Sequence, residues 1–310
     1  MLITGLKVLF SYFRPMSILP VLNIKQFDND ELKGDFYANT FAKHLSTHHA
    51  SITKPHKHNF YLAVLFLQGT GTHEIDFKSY PIQPGSLFFM RPGQTHHWEL
   101  SPNVDGYIFF HSKEFYNLIF QNRNVDDYPL FDPHHGSPHV QLGSKELNVY
   151  FKHFRDIYEE YKSDQWMTYR RFALLVDFLY LDFSRKIISE GSEAKDWSSK
   201  GMEWLHKLQK LVDTHYLKEK QPGFYADQLN ISVKHLNKMM VKSIGKSTRD
   251  LIHERIILEA KRMLTHSDSS IQEISLELGY DDASYFSRFF KKKTGVKPTE
   301  FSQKYTGALI

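Results

Sequence analysis

Two copies of one helix, turn and helix pattern occupy the last third of this 310-residue chain, and the repeat restricts the fold more than any other feature. The clearer copy spans residues 271 to 298, where apolar residues recur at helical spacing until Gly279 interrupts them. Either Asp281 or Asp282 can then cap the start of a second helix. The sequence therefore predicts two short helices joined by a tight turn.

The second helix of this copy has one apolar side and one polar, basic side. Its apolar positions, Phe286, Phe289 and Phe290, are predicted to lie in the core. The other positions are Ser284, Tyr285, Ser287, Arg288, Lys291 and Lys292. This mixture suits a helix that lies in the major groove of DNA, although a solvated structural helix has a similar composition.

The earlier copy lies about fifty residues upstream and makes the DNA interpretation much stronger, because a repeated motif rarely arises by chance. Ala226, Leu229, Asn230, Ser232, Leu236, Met239 and Gly245 correspond to Ser275, Leu278, Gly279, Asp282, Phe286, Phe289 and Gly295. The offset is 49 residues before the turn and 50 after it. The earlier turn lacks glycine, so Asn230 is predicted to adopt the left-handed conformation and Ser232 to cap the following helix. Leu236 and Met239 of that helix are predicted to lie in the core.

The later copy resembles the C-terminal signature of the AraC/XylS family of bacterial transcription regulators. The matching residues are Ile271, Glu273, Ile274, Gly279, Asp282, Ser284, Tyr285, Phe286, Arg288, Phe290, Lys291, Lys292, Gly295 and Pro298. The resemblance implies an all-α DNA-binding domain with two helix-turn-helix motifs over residues 200 to 310. One long helix between the copies, free of proline and glycine, is expected to fix the spacing of the two recognition helices.

The resemblance also assigns roles to residues of both recognition helices. Bases are expected to be read by Lys234, Asn237 and Lys238, with His235 nearby, and by Ser284, Ser287 and Arg288, with Tyr285 as a further contact. Arg288 or Lys238 can donate to guanine, and Asn237 can pair with adenine. Lys242, Lys246, Lys291, Lys292 and Lys297 are better placed for phosphates.

The charge distribution agrees with this assignment. Residues 200 to 310 contain 19 Lys and Arg against 13 Asp and Glu, whereas residues 1 to 199 contain 20 against 22. The basic excess therefore lies in the half that carries the repeat. The chain has no cysteine, which excludes disulfides and thiolate metal sites and suits a cytoplasmic protein without proving it.

The N-terminal half has a different pattern, with strand-length apolar runs broken by Gly and Pro between about residues 35 and 112. Pro84 and Gly85, then Pro92, Gly93 and His96, resemble the second motif of the cupin barrel, and His56 with His58 resembles the start of the first. AraC-like regulators commonly carry such a barrel as a sensor. We therefore predict an α+β chain with a cupin-like effector-binding barrel over residues 21 to 143.

The barrel histidines admit two interpretations. His56, His58 and His96 could bind a divalent metal as catalytic cupins do, but the usual glutamate after the second histidine is missing among residues 59 to 63. We favour a pocket for a small organic effector and predict neither metal nor cofactor. The predicted pocket residues are His56, His58, Tyr80, Phe88, His96 and Trp98. The same histidines could alternatively report pH.

The remaining segments are assigned by pattern. Residues 144 to 190 carry two amphipathic stripes, predicted to form a helical hairpin that packs on the barrel or pairs two subunits. Residues 191 to 199 are the predicted linker, and residues 1 to 20 a terminal extension of which the first 15 are interpreted as a misplaced translation start. No stretch is long and apolar enough to predict a membrane helix.

These patterns together predict a cytoplasmic, sequence-specific transcription regulator that is not an enzyme. The resemblance favours an activator that forms homodimers, binds promoter DNA and a small-molecule effector, and contacts RNA polymerase. Two rivals stay open at this stage: a metal-dependent cupin enzyme with a DNA-binding tail, and a DNA-binding protein whose barrel serves only for assembly.

Overall fold

The computed structural model describes residues 20 to 27, 35 to 52, 54 to 120, 125 to 131, 137 to 163, 165 to 190 and 200 to 306. The predicted linker, residues 191 to 199, and all but the last residue of the predicted N-terminal extension lie outside these ranges. Backbone contacts divide the described chain into two compact units, residues 20 to 206 and residues 207 to 306.

The first unit is rich in β-structure. Its strands are β1 (Val21–Leu22), β2 (Phe36–Thr40), β3 (Lys57–His58), β4 (Tyr61–Gln68), β5 (Gly71–Ile75), β6 (Lys78–Ile82), β7 (Ser86–Met90), β8 (His96–Leu100), β9 (Asp105–His111) and β10 (His139–Gln141). Its helices are α1 (Phe41–Ile52), α2 (Lys113–Ile119), α3 (Ser144–Lys162) and α4 (Thr168–Glu190). The predicted cupin-like, β-rich fold with a helical hairpin behind it is confirmed.

Two antiparallel sheets form the body of this unit. One has five strands in the order β10, β7, β4, β9, β2, and the other has three in the order β6, β5, β8. The central strand β4 is buried from Tyr61 to Phe66, which agrees with its unbroken apolar sequence, because a strand covered on both faces has no polar face to show. His73 of the smaller sheet lies against Phe88 of the larger, with ring centroids 4.6 Å apart.

The helical hairpin covers the other face of the five-stranded sheet. Phe172 of α4 packs on Phe36 with ring centroids 4.0 Å apart, and Phe154 of α3 packs on Phe109 at 5.3 Å. The predicted apolar stripes of both helices are therefore directed at the sheet. A hydrogen bond of 2.9 Å between His111 Nε2 and the Tyr180 hydroxyl adds a polar tie at the same interface.

The second unit contains only helices among its described residues. They are α5 (Lys200–His215), which begins before the division between the units, α6 (Pro222–Gln228), α7 (Val233–Ile244), α8 (Thr248–His266), α9 (Ile271–Glu277), α10 (Ala283–Thr294) and α11 (Pro298–Thr306). Helices α6 and α7 form the first helix-turn-helix motif, and α9 and α10 form the second. Helix α8 runs unbroken between them, as predicted.

The two turns begin with the same backbone structure. Asn230 (φ 54°) and Gly279 (φ 73°) both adopt the left-handed conformation. The amide that follows Asn230 bonds to Ala226 O at 3.0 Å, and the amide that follows Gly279 bonds to Ser275 O at 2.8 Å. These equivalent bonds confirm the repeat and the 49-residue offset before the turn.

The caps that follow the turns also agree with the sequence. The Ser232 hydroxyl accepts a hydrogen bond from the amide of His235. Of the two aspartates considered for α10, Asp282 is the N-cap, and its carboxylate accepts from the amides of Ser284 and Tyr285. Each such cap contributes about 1 kcal/mol to stability.

The core of the motifs differs from the prediction at two positions. Leu236, Phe286 and Phe290 are fully buried as predicted, and Met240 joins them. Met239 and Phe289 are only half-buried. The reason is helical geometry: the buried face follows the i, i+4 pairs 236/240 and 286/290, so the residue at i+3 lies at the edge of that face.

No helix in the described part of the chain combines the length and apolar character needed to cross a membrane.

Candidate nucleic-acid interface and effector pocket

The two recognition helices, α7 and α10, present most of the predicted DNA-binding side chains to solvent. The exposed residues are Lys234, His235, Lys238, Lys242, Ser284, Tyr285, Arg288, Lys291 and Lys292. Asn237 and Ser287, which occupy equivalent positions in the two copies, are half-buried. Each helix therefore carries an exposed polar and basic face opposite its buried apolar face, which is the arrangement that groove binding needs.

Asn237 has a structural partner that the sequence did not reveal. Its Oδ1 accepts a hydrogen bond of 3.0 Å from the amide of Thr248, at the start of α8. This bond competes with a bidentate contact to adenine, which needs both polar atoms of the side chain. In the second copy the residue equivalent to Thr248 is Pro298, which has no N–H to donate. Ser287, the equivalent of Asn237, therefore has no such hydrogen bond to accept.

Two lysines, one just after α7 and one on α10, form ion pairs with carboxylates of the same unit. Lys246, predicted to contact phosphate, lies 2.8 Å from Glu254, and Lys293 lies 3.0 Å from Asp250. Hydrogen bonds from Ser247 and then Lys293 lower the pKa of Asp250 to about 2. Because these pairs are partly exposed, each contributes little to stability, and their lysines are less available to DNA than Lys291 and Lys292.

A groove of about 420 Å³ lies beside α7. It is lined by Gln221, Pro222, Gly223, Val233, Asn237, Ser247 and Arg249. Arg249 is exposed at the start of α8 and was not predicted as a site residue. The signal available in the sequence was a basic residue in the first turn of a helix that follows a recognition helix.

In the first unit, four histidines meet in the interior between the two sheets. His56 and His96 form a backbone pair, with N to O distances of 3.1 and 3.0 Å, which brings the two predicted motifs together. The imidazole of His96 lies 4.4 Å from that of His56, 5.1 Å from His58 and 5.1 Å from His73, measured between ring centroids. All four side chains are buried, and we call this group the histidine cluster.

Hydrogen bonds fix part of the protonation pattern of the cluster. Nδ1 of His58 is 2.7 Å from the carbonyl of Phe60, and Nδ1 of His56 is 2.9 Å from the carbonyl of Lys54. A carbonyl only accepts, so both Nδ1 atoms carry the proton, and in the neutral rings both Nε2 atoms are acceptors. Between His73 and His96 one ring donates to the other across 2.9 Å.

Several polar atoms of the cluster and its surroundings are buried without a hydrogen-bond partner among the described residues. They are Nε2 of His58, Nδ1 of His73, Nε2 of His96 and Nε1 of Trp98. Whichever tautomers the His73 and His96 pair adopts, one of its two free nitrogens is a donor and the other an acceptor. Buried polar groups are rarely left unpaired, so this interior presents a balanced set of donors and acceptors to a bound molecule.

Burial keeps the cluster uncharged near neutral pH. Desolvation, reinforced by His56, lowers the pKa of His58 to about 3. Desolvation also holds the pKa values of His73 and His96 well below their ordinary range and lowers that of His56. The cluster therefore offers hydrogen bonds but no positive charge near neutral pH.

The structure brings together four of the six predicted pocket residues: His56, His58, His96 and Trp98. Phe88 joins them through His73. Tyr80 pairs with His73 across β5 and β6, and its ring lies against Phe88 and His139. His73 was missed by sequence reasoning. Strand alternation could have identified it, because it shares a face of β5 with the buried Ile75.

Within the described ranges, no group of three or more His, Cys, Asp or Glu side chains is arranged to hold a metal ion. The site therefore gives no geometric support to a metal-dependent cupin enzyme.

Comparison with known proteins assigns both units. A family model described as an AraC-like ligand binding domain matches residues 41–163, and a helix-turn-helix domain model matches residues 225–304. The transcriptional activator RhaS of Escherichia fergusonii is 21% identical over 249 residues, which cover 80% of this chain and 87% of RhaS. RhaS of Escherichia coli is 22% identical over 262 residues, covering 82% and 89%.

A solved structure of ToxT from Vibrio cholerae aligns with 88% of this chain and 100% of its own, at 14% identity and a TM-score of 0.42.

The two family models occupy the barrel unit and the paired helix-turn-helix motifs in the order that the residues predicted. The chain therefore belongs to the AraC family of DNA-binding transcription regulators, with an AraC-like ligand-binding domain ahead of its helix-turn-helix domain.

Proposed function

We propose that one chain reads an asymmetric DNA site by placing α7 and α10 in successive major grooves. The observation that supports this is the matched pair of turns, caps and exposed polar faces. Lys234, Lys238 and Arg288 are assigned to bases, because each is exposed on a recognition helix. Lys242, Lys291, Lys292 and Arg249 are assigned to phosphates. Asn237 is reassigned from base reading to holding α7 against α8.

The effector is proposed to bind at the histidine cluster and to be a small uncharged molecule with hydroxyl or amide groups. The cluster offers the acceptor of His58 and one donor and one acceptor from His73 and His96. The N–H of Trp98 lies beside it. A carboxylate is disfavoured, because the rings are neutral and their pKa values are low. Binding regulates DNA affinity only to the extent that the effector prefers one conformation of the chain.

A thermal-shift screen of neutral polyols, amides and matched carboxylates tests the ligand class. The expected result is a raised Tm with one of the neutral compounds. His58→Phe should abolish the shift. His97→Phe is the matched control, because His97 is adjacent to His96 on the opposite face of β8 and is half-exposed. A shift that only carboxylates produce, or that survives His58→Phe, would exclude this site.

The homodimer is proposed to form through the outward side of α4. Leu174, Phe178 and Leu181 are 53%, 52% and 46% exposed, although their helix buries its other side on the sheet. Their spacing of four and three residues places them in one line on the helix, and we call them the α4 stripe. A line of this kind can pair with its own copy about a two-fold axis.

We also propose that the protein activates transcription, contacts RNA polymerase and acts in the cytoplasm. The basis is the family and the RhaS relatives, which are transcriptional activators. The domain boundaries proposed from the sequence are likewise retained, with the ligand-binding domain before residue 144 and the DNA-binding domain after residue 199. Nothing about the histidine cluster favours the alternative of a cupin enzyme.

A further inference from the structure

A lysine between α5 and α6 bonds to the turn of the other helix-turn-helix motif. Lys220 Nζ donates to the carbonyl of Leu217 at 2.8 Å and to the carbonyl of Gly279 at 2.8 Å. The same ammonium lies 4.8 Å from the centre of the Tyr280 ring, at cation–π distance. Lys220 therefore joins the segment that leads into the first motif to the turn of the second.

The turn of the second motif has no free space on this side. A Cβ added to Gly279 would lie 2.2 Å from the Leu217 carbonyl oxygen and 2.5 Å from Lys220 Nζ. The glycine at this position thus satisfies two needs, a left-handed backbone and a close approach by another segment. The equivalent Asn230 carries a side chain at its turn, so the close approach belongs to the second copy alone.

Other contacts connect the same two segments by way of α8. Arg255 of α8 bonds to Asp213 of α5 at 2.8 Å, and its guanidinium lies 4.1 Å from the centre of the Tyr216 ring. At the other motif, His253 of α8 packs against Phe289 of α10 with ring centroids 4.9 Å apart. The contacts therefore form a closed path. Arg255 joins α5 to α8, His253 joins α8 to α10, and Lys220 joins the turn before α10 to the segment after α5.

We propose that Lys220 is a positioning residue that fixes the rotation of the second helix-turn-helix motif relative to the first, and so sets the spacing of the two DNA blocks that the protein accepts. Helix α8 by itself fixes mainly the distance between the motifs. A tie away from the helix axis resists rotation of one motif about the other. Changing the spacing by one base pair moves a block by about 3.4 Å and rotates it by about 36°, which a fixed pair of helices tolerates poorly.

This inference rests on the proposed readout of DNA by both recognition helices. Its test uses the full-length protein and a site isolated from genomic fragments. Three duplexes are compared: one with the natural spacing between the two blocks, one with a base pair added to that spacing and one with a base pair removed. We expect the wild-type protein to lose about 10-fold or more in affinity for each changed spacing. The Lys220→Met protein keeps the aliphatic stem of the side chain, and its affinity should fall by less than about 3-fold when the spacing is changed in the same way.

Lys218→Met is the matched control, because it removes an exposed lysine two residues away and should retain the wild-type spacing preference. Thermal unfolding of each variant is measured alongside. Lys220→Gln is a milder second variant, too short to reach both carbonyls, and is expected to relax the preference as well. If both Lys220 variants keep the full wild-type penalty, or if the wild-type protein tolerates every spacing, the positioning role is wrong. Failure to select any two-block site would instead contradict the DNA readout itself.

Discussion

At the scale of single residues, side chains predicted to read bases have different surroundings on the two recognition helices. Asn237 is engaged with the amide of Thr248, whereas Arg288 is exposed and free to reach DNA. A base reader contributes mainly to discrimination, about 1 to 3 kcal/mol for a good bidentate contact. A phosphate contact contributes affinity for every sequence alike.

Arg288→Ala is therefore expected to lower the affinity for the specific site by roughly 10-fold or more. Its salt-sensitive nonspecific affinity should stay within about 3-fold of wild type. Fluorescence anisotropy with specific and scrambled duplexes at two salt concentrations measures both quantities. Lys292→Ala, the phosphate control, should weaken binding to the two duplexes equally. Equal loss of both affinities in Arg288→Ala would exclude a base-reading role.

The buried histidines predict how stability depends on pH. Burial holds the pKa values of His44 and His58 at about 3 and that of His111 at about 4, against 6.5 in the unfolded chain. Between these values only the unfolded state takes up the protons, so the free energy of unfolding is highest above pH 6.5. Below pH 6.5 it falls, by up to about 1.4 kcal/mol per pH unit for each such proton.

Urea unfolding at pH 7.5 and pH 5.5 measures this slope. His44→Asn is expected to flatten it by removing one proton acceptor. Ser46→Ala serves as the comparison, because it changes an exposed residue of the same helix without adding or removing a titratable group. Equal stability at the two pH values would contradict the account of the buried imidazoles.

At the scale of elements, the helix-turn-helix motifs were predictable because their signals are local. Caps such as Ser232 and Asp282 and the left-handed residues Asn230 and Gly279 act within a few residues of themselves. The division of the strands into two sheets was not predictable, since β2 pairs with β9 about seventy residues later. The contact of Asn237 with Thr248 was missed for the same reason, as it depends on packing between helices.

The pocket was predicted in part. His56, His58 and His96 follow from the resemblance to the cupin motifs and do meet in the interior, where Trp98 packs against His96. His73 belongs to neither motif, and only the folded pairing of β5 with β8 brings it to His96. Tyr80 pairs with His73 across β5 and β6, and its ring contacts Phe88 and His139, so its place among the pocket residues stays a prediction.

Gly279→Ala is expected to destabilise the DNA-binding unit more than Gly295→Ala does. Both glycines have positive φ, at 73° and 85°, so alanine at either position costs about 1 kcal/mol in backbone strain. Only at Gly279 would the new methyl group meet another segment, whereas nothing lies within 4 Å at Gly295. The difference in unfolding free energy by denaturant titration isolates the close approach, and equal losses would show that no such contact exists.

At the scale of the whole molecule, the chain combines a ligand-binding unit with a unit that carries two recognition helices. The proposed dimer would bring four recognition helices to DNA, so that two asymmetric sites are bound together and affinity rises through effective concentration. The α4 stripe is the surface proposed to hold that dimer.

Phe178→Glu should convert the dimer to a monomer, because a carboxylate in the paired surface has no partner and is costly to bury. Light scattering after size-exclusion chromatography measures the mass. Leu276→Glu is the matched control, since Leu276 is 55% exposed, close to the 52% of Phe178, but lies on α9 in the other unit. A dimer that survives Phe178→Glu would place the interface elsewhere.

Readout of DNA by both motifs is tested most directly by genome-wide selection of DNA fragments bound by the purified full-length protein, repeated at raised salt. We expect recurrent sites with two short conserved blocks about one helical turn apart, which persist at the higher salt while nonspecific fragments are lost. Enrichment of a single block would contradict readout by both motifs. Binding that shows no sequence preference, with or without the effector found by thermal shift, would contradict sequence-specific recognition.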